Sequence, residues 1–428
     1  MRTLIKNAYM ITMDEDEGVI ENGSILIDGQ CIESVGRQEC FKDTSADRVI
    51  DAKGNAVLPG LINTHTHLPM TIFKGYGEGL PLHRWLSEKI WPAEEKLNEE
   101  IVYWSTLLGL CEMAKTGTTC FSDMYYLANG MFKAIQQSGY RGIIARGIMD
   151  IDGDASYKLK DAEEMYLNFH GKGNLEVMMS IHGEYTSSKD LFKKVLDLAE
   201  KYNTGIHIHV SETKEEHSGC IERHGVAPIQ HLDKTGLTSR PIRAAHCVHV
   251  EDRDIEIMVE KDISVLSCPQ SNLKLGSGIA PVKKMMDAGV NVSVATDGSS
   301  SNNNLDMIEE AMLIGMLQRG VNLDANAITN HEALRMATAN GAKALGYENK
   351  LGKLRPGFLA DIIMIDTDSL QFTPRHDIQS CIINSGSGRD VCMTMIGGKI
   401  VYENGKCTFA DEREVRAKVQ EFANIICS

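Results

Sequence analysis

Apolar and polar residues alternate in short runs near both ends of the chain, which is the period of a half-buried β-strand. The runs are at residues 4–13, 23–36, 48–51, 360–366 and 392–405. Asp28-Gly29 interrupts the second run as a hairpin turn does, and residues 411–426 have the pattern of a helix. We therefore expect residues 1–57 and 360–428 to pair into one small β-sandwich domain with a terminal helix on its outside.

The central residues, 58–359, instead alternate apolar runs with amphipathic helical stretches. The apolar runs are at residues 56–63, 118–123, 142–149, 176–182, 205–210, 243–247, 264–268 and 291–296. Helical stretches such as residues 189–202 and 282–288 are long enough to cross between parallel strands. Eight such units predict an α/β fold, a (β/α)₈ TIM barrel. An open doubly wound sheet is the alternative, but the Gly-rich phosphate loop that usually follows its first strand is missing from this sequence.

Polar residues that suit chemistry recur where the eight predicted strands end. They are His65, His67, Asp123, Arg146, His182, His209, His246, Cys268 and Asp297. Five of the fourteen histidines are among them. Because polar groups at the carboxyl ends of barrel strands form the active site in this fold, the pattern predicts an enzyme.

Composition narrows the class of protein. Lys and Arg number 44 against 59 Asp and Glu, a formal net charge of −15, which argues against a nucleic-acid or anionic membrane surface. The eleven cysteines form no C-x-x-C pair, and no apolar run approaches the roughly 18 residues of a membrane helix. The first residues, Met1-Arg-Thr-Leu-Ile, lack the apolar core of a signal peptide. We expect reduced thiols and a cytoplasmic location.

Four of the strand-end residues are suited to hold one divalent metal ion. His65 and His67 are two apart on a strand and so share a face. A third imidazole comes from His207 or His209, which also share a face; His209 is nearer the strand end, and we expect it to be the ligand. Asp297 adds a carboxylate, although Asp-Gly alone is equally typical of a turn. Such a site lowers the pKa of a bound water to about 7.

Two further residues suit proton transfer next to such a water. Glu212 follows His209 by three residues and is a candidate proton carrier, a role worth about 10²–10⁴ in rate. The competing interpretation is a surface acid at the start of a charged helix. His246 ends the next strand and is placed to polarise the attacking oxygen.

These motifs together resemble the amidohydrolase superfamily over essentially the full chain. Pro59 to His67, His209-x-x-Glu212, His246 and Thr296-Asp297-Gly298 occur in that family's order. Within it, the chain is most similar to the 5-methylthioadenosine/S-adenosylhomocysteine deaminases. The stretches that carry this similarity include His67-Leu-Pro-Met, Trp85-Leu, Pro92-Ala-Glu94, Ala145-Arg146-Gly, residues 244–249, residues 271–281 and residues 296–303.

The resemblance implies a hydrolytic deamination of adenine nucleosides. It assigns His65, His67, His209 and Asp297 to one divalent ion, with Zn²⁺ expected and Fe²⁺ the alternative. Glu212 would protonate ring N1 while Asp297 accepts a proton from the attacking water, and His246 would stabilise the attacking oxygen. Ammonia leaves from C6, and the substrate is methylthioadenosine, adenosylhomocysteine, 5′-deoxyadenosine or adenosine.

The same resemblance assigns the substrate contacts. His182 would contact the purine, Glu94 would accept hydrogen bonds from the ribose hydroxyls, and Trp85 would cover the sugar unless it is a plain core aromatic. Arg146 would bind the carboxylate of a homocysteine tail, with a structural ion pair as the alternative. Lys158 stands where relatives often have a second arginine, and a lysine lacks the bidentate fork.

A second departure from the family pattern lies in the loop after the fourth strand. The chain has His182-Gly-Glu-Tyr where His-Ala-Pro-Tyr is more usual, which would put an extra acid near the purine. Lys158, expected on a loop after the third strand, would be able to reach a neighbouring subunit, and the family suggests a homo-oligomer. Alternatives to adenine are guanine, cytosine or a triazine ring, a ring-opening amidohydrolase reaction, and an inactive barrel that serves as a binding subunit.

Overall fold

The computed structural model describes residues 1–427, and within them it contains seventeen strands. These are β1 (Arg2–Ile11), β2 (Val19–Asp28), β3 (Cys31–Arg37), β4 (Arg48–Asp51), β5 (Ala56–Pro59), β6 (Leu61–Thr66), β7 (Thr118–Met124), β8 (Arg141–Ala145), β9 (Leu175–Gly183), β10 (Ile206–Val210), β11 (Ile242–His246), β12 (Ser264–Ser267), β13 (Val292–Val294), β14 (Ile362–Ile365), β15 (Val391–Ile396), β16 (Lys399–Glu403) and β17 (Lys406–Cys407).

Sixteen α-helices lie in the same residues. They are α1 (Leu82–Trp85), α2 (Trp91–Glu94), α3 (Glu99–Lys115), α4 (Ala128–Ser138), α5 (Ser156–Phe169), α6 (Lys189–Lys201), α7 (Lys214–His224), α8 (Pro228–Lys234), α9 (Asp252–Glu260), α10 (Pro269–Lys274), α11 (Val282–Asp287), α12 (Met307–Asn322), α13 (Asn330–Met336), α14 (Ala339–Leu345), α15 (Ile378–Asn384) and α16 (Glu412–Ile426). Shorter 3₁₀ or π segments are at Gln38–Phe41, Leu68–Phe73, Leu86–Ile90, Glu184–Thr186, Leu237–Ser239, Leu370–Phe372 and Gly388–Asp390. None of the helices between residues 1 and 427 is long and apolar enough to cross a membrane.

Strands β6 to β13 form the predicted barrel. Each pairs in parallel with the next along the chain, from β6 through β13. Hydrogen bonds also connect β13 and the residues just after it to β6. Asp297 N donates to His65 O over 3.0 Å, and Thr64 Oγ1 donates to Val294 O over 3.1 Å. The prediction of eight β/α units is therefore confirmed, and these contacts bring the two ends of the sheet together.

The two faces of a barrel strand carry different residues, as β10 illustrates. Ile206, Ile208 and Val210 belong to the same buried core as Leu191 and Val195 of α6, outside the barrel. His207 and His209 alternate with them and therefore project to the barrel interior. The period of two thus explains how one short strand supplies both core packing and site chemistry.

The terminal segments pair as predicted, in a separate sheet of nine strands. Its order is β17-β16-β15-β14-β5-β1-β2-β3, with β4 beside β1. Strand β14, from the far end of the chain, pairs antiparallel with β5. The last helix, α16, shares a buried core with α3 of the barrel through Val415, Val419 and Ile101. The sheet therefore needs both ends of the chain, and its helix packs against the barrel.

The expected single strand at residues 56–63 is wrong, because the chain changes sheets at Gly60. Residues before it form β5 of the terminal sheet, and residues after it form β6 of the barrel. A Cβ at Gly60 would lie 2.1 Å from Thr119 Oγ1, so the close approach of β7 requires glycine. The division into residues 1–57 with 360–428 and residues 58–359 stays a prediction, with Ser428 outside the described residues.

Candidate metal centre and active-site cavity

The carboxyl ends of the barrel strands surround a cavity of about 600 Å³. Ten of the site residues expected from the sequence line it: His67, Trp85, Glu94, Arg146, Lys158, His182, His209, Glu212, His246 and Asp297. The eleventh, His65, is fully buried and lies against the cavity floor formed by Asp297. The fold therefore brings these eleven residues to one place, whereas Asp123 and Cys268 do not line the cavity.

The four expected metal ligands converge on one point at the cavity floor. Asp297 Oδ1 lies 3.3 Å from His65 Nε2 and 3.2 Å from His67 Nε2. His209 Nε2 lies 3.4 Å from His67 Nε2. The buried His65 Nε2 has no hydrogen-bond partner among the described residues. An unpartnered buried nitrogen that faces two more imidazoles and a carboxylate fits a bound divalent cation.

Backbone carbonyls orient two of these imidazoles. His67 Nδ1 lies 2.6 Å from Met124 O, and His209 Nδ1 lies 2.6 Å from His182 O. Because a carbonyl only accepts, each Nδ1 carries the proton and each Nε2 turns a lone pair to the cluster, as metal ligands require.

His207 occupies a lower position in the barrel than His209. Its Nε2 lies 2.9 Å from His65 Nδ1, and its Nδ1 lies 3.3 Å from Ser122 Oγ. Both ring nitrogens therefore face protein atoms rather than the ligand cluster. This geometry supports His209 as the ligand and gives His207 the role of orienting His65.

The Asp297 carboxylate is held by its own loop. Ser271 Oγ and Ser301 Oγ donate to Oδ2 over 2.7 and 2.8 Å, and Gly298 N donates to Oδ1 over 2.8 Å. Its backbone φ is 61°, in the left-handed region that a non-glycine residue rarely adopts. The roles of both serines were not predictable from the local pattern, although the two residues lie in the stretches that carry the family resemblance.

The electrostatics of the cluster favour a positive charge at its centre. Burial lowers the pKa of His65 to about 4 and that of His209 well below its ordinary value, so both are neutral. Burial also acts to raise the pKa of Asp297, but His65 and His67 lower it well below its usual range. Burial lowers the pKa of His67 and Asp297 raises it, for a net value of about 9. A divalent cation supplies the positive charge that this arrangement favours.

Glu212 and His246 lie next to the ligand cluster. His246 Nε2 is 3.6 Å from Glu212 Oε2, and Ser277 Oγ donates to Glu212 Oε1 over 3.4 Å. Asn272 Oδ1 lies 2.9 Å from His246 Nδ1 and orients the ring. Burial raises the pKa of Glu212, which favours a carboxyl that can carry a proton.

Glu216 stabilises the turn that contains Glu212, a role that the local sequence pattern does not predict. Its carboxylate accepts hydrogen bonds from Ser211 N over 2.9 Å and Glu212 N over 2.8 Å. Ser211 has a φ of 52°, so the turn is in a conformation that needs support. The only signal in the sequence was an acid four residues after Glu212 on the helix that follows.

Glu94 faces the cavity from α2. Tyr125 Oη donates to its Oε1 over 2.6 Å, and Tyr126 Oη donates to its backbone carbonyl over 3.1 Å. Burial raises the pKa of Glu94 to about 7. Across the cavity, His182 Nδ1 lies 3.0 Å from Thr186 Oγ1. Both side chains therefore have fixed orientations near the metal cluster.

Trp85 lines the cavity from α1 and is almost fully buried. Its Nε1 donates to Tyr76 O over 3.3 Å, which fixes the indole against the loop before it. The side chain is thus both a core residue and a cavity wall, so the two interpretations of the sequence do not exclude each other.

Arg146 and Lys158 line the same cavity, and each is paired with an acid. Arg146 Nε donates to Asp161 Oδ2 over 2.8 Å, and Lys158 Nζ lies 2.6 Å from both Asp152 oxygens. Lys158 belongs to α5, so its expected place on a loop is wrong. Its side chain is buried within its own chain's cavity because the first turn of the helix faces inward.

The expectation of an extra acid near the purine is not supported by the position of Glu184. Its carboxylate accepts from Arg223 Nη2 over 2.6 Å and lies 3.0 Å from His224 Nε2. Among the described residues that line the cavity, Tyr185 is present and Glu184 is not. The two neighbours turn to opposite sides of the 3₁₀ turn, and Glu184 binds α7 instead.

Comparison with known proteins places these features in a family. Residues 56–401 match the model of the amidohydrolase family. A 5-methylthioadenosine/S-adenosylhomocysteine deaminase of Thermoanaerobacter pseudethanolicus is 43% identical, with 99% of each chain covered. A protein of the same name from Halothermothrix orenii is 41% identical, again with 99% of each chain covered.

Solved structures agree with this assignment. An adenosine deaminase from Xanthomonas campestris with bound zinc superposes with a TM-score of 0.95 at 30% identity, covering 99% of this chain and 98% of that one. A triazine hydrolase variant has a TM-score of 0.92 at 24% identity, with 99% of each chain covered, and supports the fold alone. The match over the full length, with the candidate ligands gathered at the carboxyl ends of the barrel strands, shows that the chain belongs to the amidohydrolase family.

Proposed function

We propose that this protein is a metal-dependent deaminase of adenine nucleosides. Water replaces the amino group at C6, and the products are the inosine analogue and ammonia. The observation that carries the proposal is the buried Glu212 carboxyl beside His246, in the cavity that also contains the candidate metal ligands. An amine leaves only after protonation, and a buried carboxyl at this point can carry protons for the reaction. The names of the relatives favour adenine as the ring.

We propose Zn²⁺ as the ion, held by His65, His67, His209 and Asp297. When bound, such an ion polarises a water and lowers its pKa to about 7. Zn²⁺ suits the set because imidazole nitrogens and one carboxylate oxygen are ligands that it takes in catalytic sites.

The chain's own residues move the protons. Glu212 gives its proton to ring N1, which prepares C6 for attack. Asp297 accepts a proton from the attacking water, because its carboxylate faces the cluster and stays ionised. His246, oriented by Asn272, presents Nε2 beside Glu212 and would stabilise the attacking oxygen. The proton held by Asp297 passes to the departing nitrogen, the C6–N bond breaks and ammonia leaves. The hydroxyl group now on C6 returns a proton to Glu212 as the carbonyl forms.

The rest of the cavity binds the nucleoside. We assign the ribose hydroxyls to Glu94, whose carboxylate is a strong acceptor. His182 contacts the purine, and Trp85 covers the sugar. Arg146 and Lys158 line the end of the cavity that receives the 5′ substituent. A homo-oligomeric assembly and a cytoplasmic location stay predictions.

Ammonia release by the zinc-loaded protein tests the proposal. The panel is adenosine, 5′-deoxyadenosine, methylthioadenosine, S-adenosylhomocysteine, guanine and cytosine. We expect turnover of adenine nucleosides and none of the two free bases. Turnover confined to guanine or cytosine would reject adenine as the ring. No turnover of any compound by protein with zinc bound would reject nucleoside deamination.

A further inference from the structure

Both cations at the 5′ end of the cavity are already neutralised by carboxylates of the chain itself. Lys158 is paired with Asp152 and Arg146 with Asp161. The side chains of the two cations are 3% and 11% exposed, whereas those of the acids are 49% and 44% exposed. The acids are therefore more exposed than the cations that they neutralise, and Asp152 lines the cavity together with Lys158.

The donors of Lys158 have no capacity left for a ligand. Its ammonium has three N–H groups, and three acceptors surround it: both oxygens of Asp152 at 2.6 Å and Met149 O at 3.0 Å. A carboxylate from a substrate would bind here only by displacing Asp152, which is six residues away on the same chain.

Arg146 is similarly engaged. Its Nε donates to Asp161, its Nη1 donates to Gly147 O over 2.6 Å, and its guanidinium carbon lies 5.3 Å from the centre of the Tyr126 ring. This arrangement fixes the guanidinium plane against an aromatic face and an internal acid. Two of its five N–H groups are thus used by the protein, and its charge is already neutralised by Asp161.

The surroundings of these pairs are acidic and apolar. Asp150 and Asp154 lie in the same segment and accept hydrogen bonds from Ser188 and Ser156, but they line a separate small pocket beside Lys194. Ile151 and Tyr157 line the cavity and are each 63% exposed. This end of the cavity therefore offers apolar surface, one carboxylate at Asp152 and two cations that are already paired.

We propose that the 5′ end of the cavity selects adenine nucleosides whose 5′ substituent is small and uncharged, such as a methyl or methylthio group. Asp152 and Asp161 are the residues that determine this specificity, because they neutralise the two cations and repel a terminal carboxylate. The inference rests on the proposed deaminase function and narrows its substrate class.

The experiment compares kcat/KM for methylthioadenosine with that for S-adenosylhomocysteine, whose tail ends in a carboxylate. We expect the wild-type protein to prefer methylthioadenosine by at least about tenfold. Asp152→Asn and Asp161→Asn each free a cation, and each should raise kcat/KM for S-adenosylhomocysteine by about tenfold. The ratio of the two kcat/KM values is the readout, and far-UV circular dichroism of the same preparations shows whether the variants are folded.

Asp154→Asn is the matched control, since it removes one acid of the same segment without freeing a cation. We expect the ratio of the two substrates to change little in this variant. A wild-type protein that prefers S-adenosylhomocysteine would overturn the inference, as would equal ratios in all three variants and the wild type. Absence of turnover with every adenine nucleoside would instead reject the underlying deaminase function.

Discussion

At the residue scale, the candidate site depends on which nitrogen of each histidine faces the ligand cluster. The carbonyl oxygens of Met124 and His182 accept hydrogen bonds from Nδ1–H of His67 and His209. Each Nε2 therefore keeps a lone pair that can bind a metal ion. His65 is oriented by His207 instead of a carbonyl. The geometry of the ligands is therefore fixed by their partners on neighbouring strands.

The roles of His209 and His207 are separable by substitution. We expect His209→Ala to lower zinc affinity more than about 100-fold, because it removes a ligand atom. His207→Gln should lower it by only about 10–100-fold, the usual effect of losing an orienting partner. Metal content after dialysis against a chelator series measures both. A metal-replete, active His209→Ala protein would contradict the assignment.

Glu212→Gln should separate proton transfer from metal binding. Because the amide cannot carry a proton, we expect kcat to fall by about 10²–10⁴ while zinc content is unchanged. Glu215→Gln is the control, an exposed acid on the following helix with no cavity contact. Unchanged turnover in the Glu212 variant would exclude this residue as the proton carrier.

Glu94→Ala tests the assignment of the ribose. We expect kcat/KM for nucleosides to fall by about 10- to 100-fold, since a charge-assisted hydrogen bond is lost. Binding of free adenine, which has no ribose, should be nearly unchanged in a competition assay. Glu100→Ala, an exposed acid on α3 that does not line the cavity, is the control. Equal losses for nucleoside and free base would remove the ribose role.

At the element scale, the ends of the barrel strands position the chemistry. His246 and Asp297 have φ values of 74° and 61°, so the chain turns sharply as β11 ends and after β13. Such conformations cost free energy and persist only where surrounding contacts hold them. Here Asn272, Ser271 and Ser301 provide those contacts. Helix α10 and the loop after β13 thus hold the side chains of His246 and Asp297 in place.

At Gly60 the chain passes from β5 of the terminal sheet to β6 of the barrel. We expect Gly60→Ala to destabilise the protein by about 1–3 kcal/mol, because the new Cβ would overlap the Thr119 side chain. Gly36→Ala in β3 is a matched control: its Cβ would lie 3.7 Å from Phe41, an ordinary contact. Midpoints of urea unfolding measure both variants. Equal midpoints would contradict the close-packing argument.

At the scale of the whole molecule, a buried ion pair joins the barrel to the terminal sheet. Arg141, at the start of β8, lies 3.2 Å from Asp361, just before β14, and Asp361 also accepts from Gly397 N over 2.8 Å. Burial raises the pKa of Asp361, although Arg141 acts to lower it. Burial acts to lower the pKa of Arg141, but Asp361 raises it, so each buried charge depends on the other.

Breaking this pair should be costly because one charge stays buried. We expect Asp361→Asn to lower the free energy of unfolding by about 3–5 kcal/mol. Glu33→Gln, which breaks the exposed pair with Arg2, should cost no more than about 1 kcal/mol. Denaturant unfolding of the two variants measures the difference. A loss in Asp361→Asn as small as that in Glu33→Gln would show that the buried pair does not join the two parts.

Much of the fold followed from the sequence. Strands and helices have different hydrophobic periods, so the eight β/α units and the paired termini were recognisable from residue order alone. The candidate ligands were recognisable for a related reason: polar residues directly after buried strands fall at one end of a parallel barrel. The strand boundary at Gly60 was not recognisable, because an apolar run does not reveal that its two halves pair with different partners.

The sequence by itself thus determined the class of fold, the family and the candidate residues at one end of the barrel, since these depend on local patterns and motifs. Only the tertiary structure placed His209 rather than His207 next to His67, turned Glu184 away from the cavity, and paired Asp152 and Asp161 with the two cations. Each of these depends on which way a side chain turns and which distant atom it meets. The orientation of each of these side chains is set by packing across the whole barrel, so it does not appear as a periodic pattern in the sequence.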